Sequence, residues 1–340
     1  MNGNKTAVIF GVTGQDGSYL APHLLAQNYN VVGVKRRTST NNTWRLEPFA
    51  NNENFHLVEG DVTDCASVSG ILLHAREQFY EVDEVYNLAA QSHVGTSFQQ
   101  PLYTWDVTAK GCMNILESMR QLDFIPHTKL YHASTSELFG KNTGILSEGT
   151  EFSPTSPYAI AKLAAHYTVA MYRDAYGLFG CSGILFNHGS PNRGEEFVER
   201  KISKYVAELY HAKKNNVEIP KLGLGNLSAK RDFGDSRDYV SAMHMMLQAD
   251  SPKDYVVATG ETRSIEQLCD VAFGLIGCDY NDHIFIDPQF FRPSEVPHLV
   301  GDSTKIREEL GWTPSISFGE LIHDMVWTDI ERLRGNQCTQ

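Results

Sequence analysis

The amino-acid sequence predicts an α/β protein with a doubly wound parallel sheet and a smaller C-terminal lobe that binds substrate. Three observations support this fold: an apolar run that leads into a glycine-rich loop, a regular alternation of apolar runs with helix-length stretches, and the loss of that alternation after about residue 186. A chain of 340 residues is long enough for one large domain with an attached lobe.

The predicted strands are short runs of apolar, β-favouring residues. We place them at residues 7–10, 31–34, 56–58, 84–88, 129–133 and 183–186. The stretches between them are long enough for helices, which predicts βαβ units and a parallel sheet. We expect a Rossmann-type domain over residues 1–186 and a second lobe over 187–254 and 259–335, with a further strand at 255–258 that returns to the first sheet.

Composition and charge argue against several classes of function. The formal net charge of −12 disfavours binding to nucleic acid or to an anionic membrane surface. The six cysteines show no CxxC spacing, so we expect reduced thiols rather than a disulfide framework or a metal site. The N-terminus lacks the pattern of a secretion signal, and no apolar run approaches membrane-spanning length. We therefore expect a cytoplasmic protein.

The first motif is a GxxGxxG loop between the first predicted strand and a helix. In this setting backbone amides can approach a pyrophosphate, and the helix N-terminus points at it. A plain tight turn is the competing interpretation, but the strand before and the helix after favour a dinucleotide cofactor. The candidate cofactor-binding residues here are Gly11, Thr13, Gly14, Gln15, Asp16 and Gly17.

The second predicted strand ends in a basic run that includes Arg36 and Arg37. An NAD enzyme usually has an acidic residue there for the ribose 2′-hydroxyl, so the cations favour a 2′-phosphate and hence NADP, with a solvated basic turn as the alternative. Later strand ends would line the adenine and nicotinamide ends of the cofactor. They contribute Asp61, Val62, Leu88, Ala89, Ala90, Gln91 and Ser92.

The candidate catalytic residues follow two predicted elements. Tyr158 and Lys162 are four residues apart and so share a helix face, where the ammonium can favour the phenolate that accepts a hydroxyl proton. Ser134–Glu137 follows the fifth strand, at the sheet edge where such folds bind ligands. Ser-x-x-Glu is also a helix cap, and only the downstream Tyr-x-x-x-Lys tips the interpretation towards catalysis.

Together the motifs resemble one known family. They occur in the order GVTGQDGSYL, KRR, NLAAQSHVGTSF, ASTSELFG, SPYAIAK, GILFNHGSPNRGE, RDFGDSRDYV and FRPSEV, spanning residues from about 8 to about 300, with LGWTP near the C-terminus. This order is similar to that of the GDP-mannose 4,6-dehydratases, which are extended short-chain dehydrogenases. Epimerases and reductases that act on sugar nucleotides share the more generic motifs.

The resemblance implies roles for individual residues. It assigns catalysis to Thr135, Glu137, Tyr158 and Lys162, with Glu137 as the base at C5 of the sugar. It adds Tyr103, His188 and Arg193, together with Tyr158 and Lys162, to the cofactor-binding set. It implies that the GDP-sugar contacts Ser92, Ser136, Glu137, Asn187, Lys201, Arg231, Arg292 and Glu295.

The expected activity is conversion of GDP-mannose to a 4-keto-6-deoxy sugar nucleotide, with NADP reduced and reoxidised within one turnover. A reductase of the 4-keto product, or an enzyme with both activities, is the nearest alternative, and a non-catalytic NADP-sensing module is a remote one. The resemblance also implies a homodimer or homotetramer, in which Arg36 or Arg37 could lie against the cofactor of a neighbouring subunit.

Overall fold

A computed structural model describes residues 3–291, 296 and 298–337, and its central feature is a seven-stranded parallel sheet. Strands are numbered in chain order. The sheet contains β1 (Thr6–Phe10), β2 (Asn30–Lys35), β3 (Phe55–Glu59), β4 (Glu84–Asn87), β5 (Lys129–Ala133), β7 (Gly180–Leu185) and β11 (Tyr255–Val257). Their order is β3, β2, β1, β4, β5, β7, β11, and every neighbouring pair is parallel. The predicted α/β class with a parallel sheet is confirmed.

In the described part of the chain, the shorter strands form three small sheets, and helices connect many of the strands. The shorter strands are β6 (Ile145–Leu146), β8 (Asn187–Gly189), β9 (Leu222–Leu224), β10 (Lys230–Asp235), β12 (Thr262–Ser264), β13 (Ile284–Ile286) and β14 (Val300–Gly301). The α-helices are α1 (Gln15–Ala26), α2 (Cys65–Phe79), α3 (Val94–Gln99), α4 (Pro101–Trp105), α5 (Gly111–Gln121), α6 (Pro157–Tyr176), α7 (Val198–Lys214), α8 (Ser236–Gln248), α9 (Ile265–Gly274), α10 (Thr304–Leu310) and α11 (Phe318–Gln337).

Except at its edge strand β3, where Leu57 and Glu59 are exposed, the main sheet is buried on both faces, which explains why its strands are mainly apolar runs. Along β1, Ala7 and Ile9 pack into the core beneath α1, whereas Val8 and Phe10 pack into the core beneath α2, α5 and α6. All four side chains are fully buried. The sheet is therefore the middle of three layers.

A separate apolar core joins α7, α9 and α11 with the strands β9, β10 and β13. Helix α8 lies within the segment expected to belong to the second lobe, yet it packs on α1 and on the main sheet, where Tyr239 and Met243 are fully buried. Trp312, from the other expected segment of that lobe, residues 259–335, joins the same core. The chain therefore crosses between the two cores more often than the sequence suggested.

The strand order reverses between β1 and β4, because β2 and β3 lie on one side of β1 and the later strands lie on the other. Open α/β sheets bind ligands at such a point, beyond the carboxyl ends of the strands. The glycine-rich loop after β1 and the segment after β4 meet there. Within the described part of the chain, every helix falls short of the length and apolarity needed to cross a membrane.

Candidate active site

The glycine-rich loop is shaped by close backbone contacts. Gly11 has a φ of +90°, and a Cβ there would lie 3.0 Å from the backbone nitrogen of Ala89. A Cβ on Gly17 would lie 2.5 Å from the Cα of Val12, so the first turn of α1 packs directly on the loop. Gly14 is the N-cap residue of α1, and no side chain caps the helix there. The loop thus leaves a helix N-terminus available to an anion.

Asp16, in the first turn of α1, is paired with His188, the middle residue of β8. Both carboxylate oxygens lie within 3.1 Å of His188 Nε2, and the imidazole stacks on Tyr239 with 4.4 Å between ring centroids. Burial acts to raise the pKa of Asp16, but the charge and hydrogen bond of His188, helped by Gln15 and Arg193, lower it to about 2. This pair links the glycine-rich loop, where the cofactor is predicted to bind, to the small sheet formed by β8, β10 and β12.

The basic residues after β2 line an open cavity of about 380 Å³ together with Glu59, Gly60 and Asp61. Arg36 and Arg37 are both exposed, and the Arg36 guanidinium donates a hydrogen bond to the hydroxyl of Tyr103. Glu59 is also at this cavity, and its carboxylate lies 3.4 Å from Lys35 Nζ. The structure therefore brings together the residues predicted to hold a 2′-phosphate.

The segments after β3 and β4 border the same edge of the sheet. Asp61 accepts hydrogen bonds from the backbone and hydroxyl of Thr63, and the carbonyl of Val62 accepts one from Asn114.

After β4, the backbone of Leu88 and Ala89 packs on Gly11. Ala90 is partly buried, and Ser92 is exposed. The side-chain amide of Gln91 donates a hydrogen bond to the hydroxyl of Thr104. In the glycine-rich loop, the carbonyl of Thr13 accepts a hydrogen bond from the guanidinium of Arg45.

The segment after β5 places two candidate catalytic groups in the interior. Thr135 is the N-cap residue of a short 3₁₀ turn over Ser136–Phe139, and its Oγ1 accepts a hydrogen bond from the backbone nitrogen of Glu137 at 3.3 Å. Ser136 is buried, and Glu137 is only 8% exposed. A cap is therefore present, but Thr135 forms it rather than the Ser134-x-x-Glu137 capping box considered from the sequence.

Tyr158 and Lys162 lie on one face of α6, which begins at Pro157 behind the N-cap residue Ser156. The pKa of Tyr158 lies above its usual value, chiefly because the phenol is buried and also because of the charge of Glu137. A hydrogen bond with Thr135 and the charge of Arg193 act in the opposite direction. All of these groups therefore act on the same phenol. Glu137 lies within electrostatic reach of Tyr158, as a shared site requires.

The Lys162 ammonium donates a hydrogen bond to the carbonyl of Ala133 at 2.6 Å, at the end of β5. Burial lowers the pKa of Lys162 to about 8, although Cys112 and the charge of Asp16 oppose that change. The lysine thus ties α6 to the strand that presents Thr135 and Glu137.

Three buried polar residues behind Lys162 were not singled out from the sequence: Asn87, Cys112 and His132. Asn87 Nδ2 lies 3.2 Å from His132 Nδ1, and Cys112 Sγ lies 3.8 Å from the same nitrogen. Burial, with the charges of Lys162 and His166, holds the pKa of His132 well below its usual range, so the imidazole is neutral. The available signal was a histidine inside an otherwise apolar strand.

The residues expected to hold the sugar nucleotide occupy several elements. Asn187 is on β8 directly opposite Phe233 of β10, and Arg231 lies two residues before Phe233, with its guanidinium donating to the carbonyl of Lys230. Lys201 is on α7, and its ammonium lies 3.5 Å from the centroid of the Phe290 ring. Two further predicted ligands, Arg292 and Glu295, lie outside the described residues.

Solved structures with the same fold include dehydratases. The structure of RMD from Pseudomonas aeruginosa complexed with NADPH matches with a TM-score of 0.77 at 20% identity, covering 97% of this chain and 100% of that one. The dTDP-glucose 4,6-dehydratase of Bacillus anthracis in complex with NAD matches with a TM-score of 0.81 at 20% identity, covering 97% and 98%. At these identities the likeness establishes the fold.

Sequence relatives are much closer. GDP-mannose 4,6 dehydratase 1 of Arabidopsis thaliana is 46% identical over 335 residues, covering 96% of this chain and 90% of the relative. The human GDP-mannose 4,6 dehydratase is 42% identical over 356 residues, covering 98% and 93%. The model of the GDP-mannose 4,6 dehydratase family matches residues 8–325. The resemblance inferred from the motifs is thus confirmed, and the chain belongs to the GDP-mannose 4,6-dehydratase family.

Proposed function

We propose that this protein is an NADP-dependent lyase that converts GDP-mannose to GDP-4-keto-6-deoxy-mannose with loss of water. The observation that carries the proposal is a carboxylate, Glu137, buried within electrostatic reach of the phenol of Tyr158. Oxidation of the C4 hydroxyl needs Tyr158 and a hydroxyl neighbour, whereas loss of water across C5 and C6 needs an additional base. Glu137 supplies that base.

The cofactor proposal is supported by two features of the chain. The close approach of Gly11 to Ala89 leaves no room for a side chain, as a pyrophosphate-binding turn requires. Arg36 and Arg37 line the cavity after β2, where guanidinium groups suit a 2′-phosphate. Of the two solved structures above, one is described with NADPH and the other with NAD. We favour NADP because of the two arginines.

In the proposed reaction, Tyr158 accepts the proton of the C4 hydroxyl, and Thr135 hydrogen-bonds the same phenol. A nicotinamide cofactor held by the glycine-rich loop, Arg36 and Arg37 would supply the hydride acceptor for C4 and the hydride donor for C6. Lys162 keeps positive charge on the face of α6 that carries Tyr158, which favours the phenolate. These residues therefore supply the acid–base chemistry at C4 of the sugar.

The 4-ketone acidifies the proton on C5. Glu137 removes that proton, and the C6–O bond breaks as Glu137 returns a proton to the departing hydroxyl, which forms water. Addition of a solvent-derived proton at C5, and of hydride at C6 from the reduced cofactor that would be bound there, would complete the 6-deoxy sugar.

The test is incubation of the purified protein and of Glu137→Gln with GDP-mannose and NADP, followed by product analysis and by titration of NADP binding. The wild type should form the 4-keto product without net consumption of NADPH, and the variant should bind NADP normally but form no product. Stoichiometric oxidation of NADPH as a 4-keto sugar disappears would instead identify a reductase. Near-normal turnover by Glu137→Gln would remove Glu137 from the mechanism.

We also propose a cytoplasmic homo-oligomer. Helices α5 and α6 pack together and leave large apolar side chains about half exposed, including Met113, Tyr167, Met171 and Tyr176. A second copy of this face would cover them. Light scattering should give a mass of two or four times 38.1 kDa.

The cytoplasmic location is supported by the cysteines. The five described cysteines are free thiols, as a reducing compartment would keep them.

A further inference from the structure

The proposed cofactor ligand Arg193 is held by a buried carboxylate that no motif singled out. Arg193 Nε lies 2.8 Å from Glu199 Oε1, and the guanidinium also lies 3.7 Å from the centroid of the Phe197 ring. The side chain of Arg193 is 15% exposed, and that of Glu199 is 3% exposed. The two atoms are close enough for an ion pair but are not aligned as a hydrogen bond, so Glu199 holds the guanidinium through charge in a buried setting rather than through a directed bond.

The side chain of Glu199 packs against the backbone of Gly189. A Cβ built on Gly189 would lie 3.3 Å from Glu199 Cγ and 3.8 Å from Glu199 Oε1. Glu199 therefore reaches from the first turn of α7 across the backbone of β8 to the loop that carries Arg193. Three segments meet at one buried ion pair.

The loop that carries Arg193 lies against the glycine-rich loop, because Asn192 donates a hydrogen bond to the hydroxyl of Ser18 and Arg45 donates to the carbonyls of both Asn192 and Thr13. The charge of Arg193 lowers the pKa of Asp16, in the first turn of α1, and that of Tyr158, on α6. A cation within reach of both residues lies beside the helix N-terminus where the pyrophosphate is proposed to bind. Its position decides whether it can meet an anionic cofactor.

We propose that Glu199 is a positioning residue for NADP binding: it holds the Arg193 guanidinium, from the side away from solvent, in the place where the cofactor meets it. This inference rests on the proposed cofactor-binding role of Arg193. Glu199 itself touches neither cofactor nor sugar. Its loss should weaken NADP binding through Arg193 alone, without changing the residues that carry out proton transfer.

The experiment is a double-mutant cycle on NADP affinity, measured by calorimetry on the full chain. Glu199→Gln should raise the Kd for NADP about tenfold, Arg193→Ala should raise it at least as much, and Glu199→Gln in the Arg193→Ala background should add almost nothing. At saturating NADP, kcat of Glu199→Gln should stay within about twofold of wild type. Glu195→Gln is the matched control, because Glu195 is on the same loop but pairs with Lys204 in solvent.

Independent effects of the two substitutions, or unchanged or tighter NADP binding by a folded Glu199→Gln, would overturn the proposal. If Glu199→Gln does not fold, Glu199→Asp is measured instead. Its carboxylate keeps the charge but is one methylene too short, so the Kd should rise about threefold, and wild-type affinity would contradict the proposal. Failure of the proposed function is distinguishable, because it would leave the wild type without NADP binding or without product from GDP-mannose.

Discussion

Lys162→Met should change how stability depends on pH. Lys162 is 3% exposed, and burial lowers its pKa from 10.5 to about 8. Between these pH values the unfolded chain binds more protons than the folded chain does, so stability rises with pH. For a folded pKa of about 8, the stability of the wild type should rise by roughly 2 kcal/mol more than that of the variant between pH 7 and pH 10.

The assay is urea unfolding of the wild type and of Lys162→Met, both without cofactor, followed by tryptophan fluorescence at several pH values. The variant also loses the hydrogen bond to Ala133, but that loss offsets its curve by a constant amount and leaves the pH-dependent difference intact. Parallel stability curves from pH 7 to pH 10 would show that Lys162 keeps its ordinary pKa in the folded protein. They would refute the reasoning from burial.

Three further outcomes are expected. Tyr158→Phe should lower kcat by roughly 10²- to 10⁴-fold while NADP titrations stay near wild type, and retained turnover would assign the C4 proton to another group. Arg37→Ala should weaken NADP binding roughly tenfold and leave NAD binding unchanged; unchanged NADP affinity together with an unchanged mass by light scattering would exclude Arg37 from the cofactor site. Asp16→Asn should cost roughly 2 kcal/mol of unfolding free energy at pH 7, because pairing with His188 lowers the pKa of Asp16 from 3.8 to about 2. That contribution is fully present above pH 3.8 and fades as the pH falls towards 2, so a cost that persists undiminished at acidic pH would contradict it.

The parts of the molecule that the sequence predicted are those with a local signal. Apart from β3 at the edge, the strands of the main sheet are buried on both faces and appear as mainly apolar runs, and the glycines from Gly11 to Gly17 lie where β1 leads into α1. Tyr158 and Lys162 share a helix face by spacing alone. These features depend on residues that are close together in the sequence, so the sequence alone is enough to predict them.

The remaining features depend on contacts between distant segments. Glu199 and Arg193 are close in sequence, but they meet because the start of α7 packs on the end of β8, where the Glu199 side chain lies against Gly189. Cys112 and His132 are on different elements and meet only because α5 packs on the sheet. No periodicity encodes such contacts.

The most direct test of the central claim, that Glu137 removes the C5 proton of an oxidised sugar, is the reaction of wild-type protein with GDP-mannose and NADP in deuterated water. Product analysis by NMR should find deuterium at C5 and none from solvent at C6, because the C5 proton is exchanged whereas the hydride passes from C4 to C6. A 6-deoxy product that retains the original hydrogen at C5 would contradict removal of that proton by a base. A product that retains the C6 hydroxyl would contradict dehydration altogether.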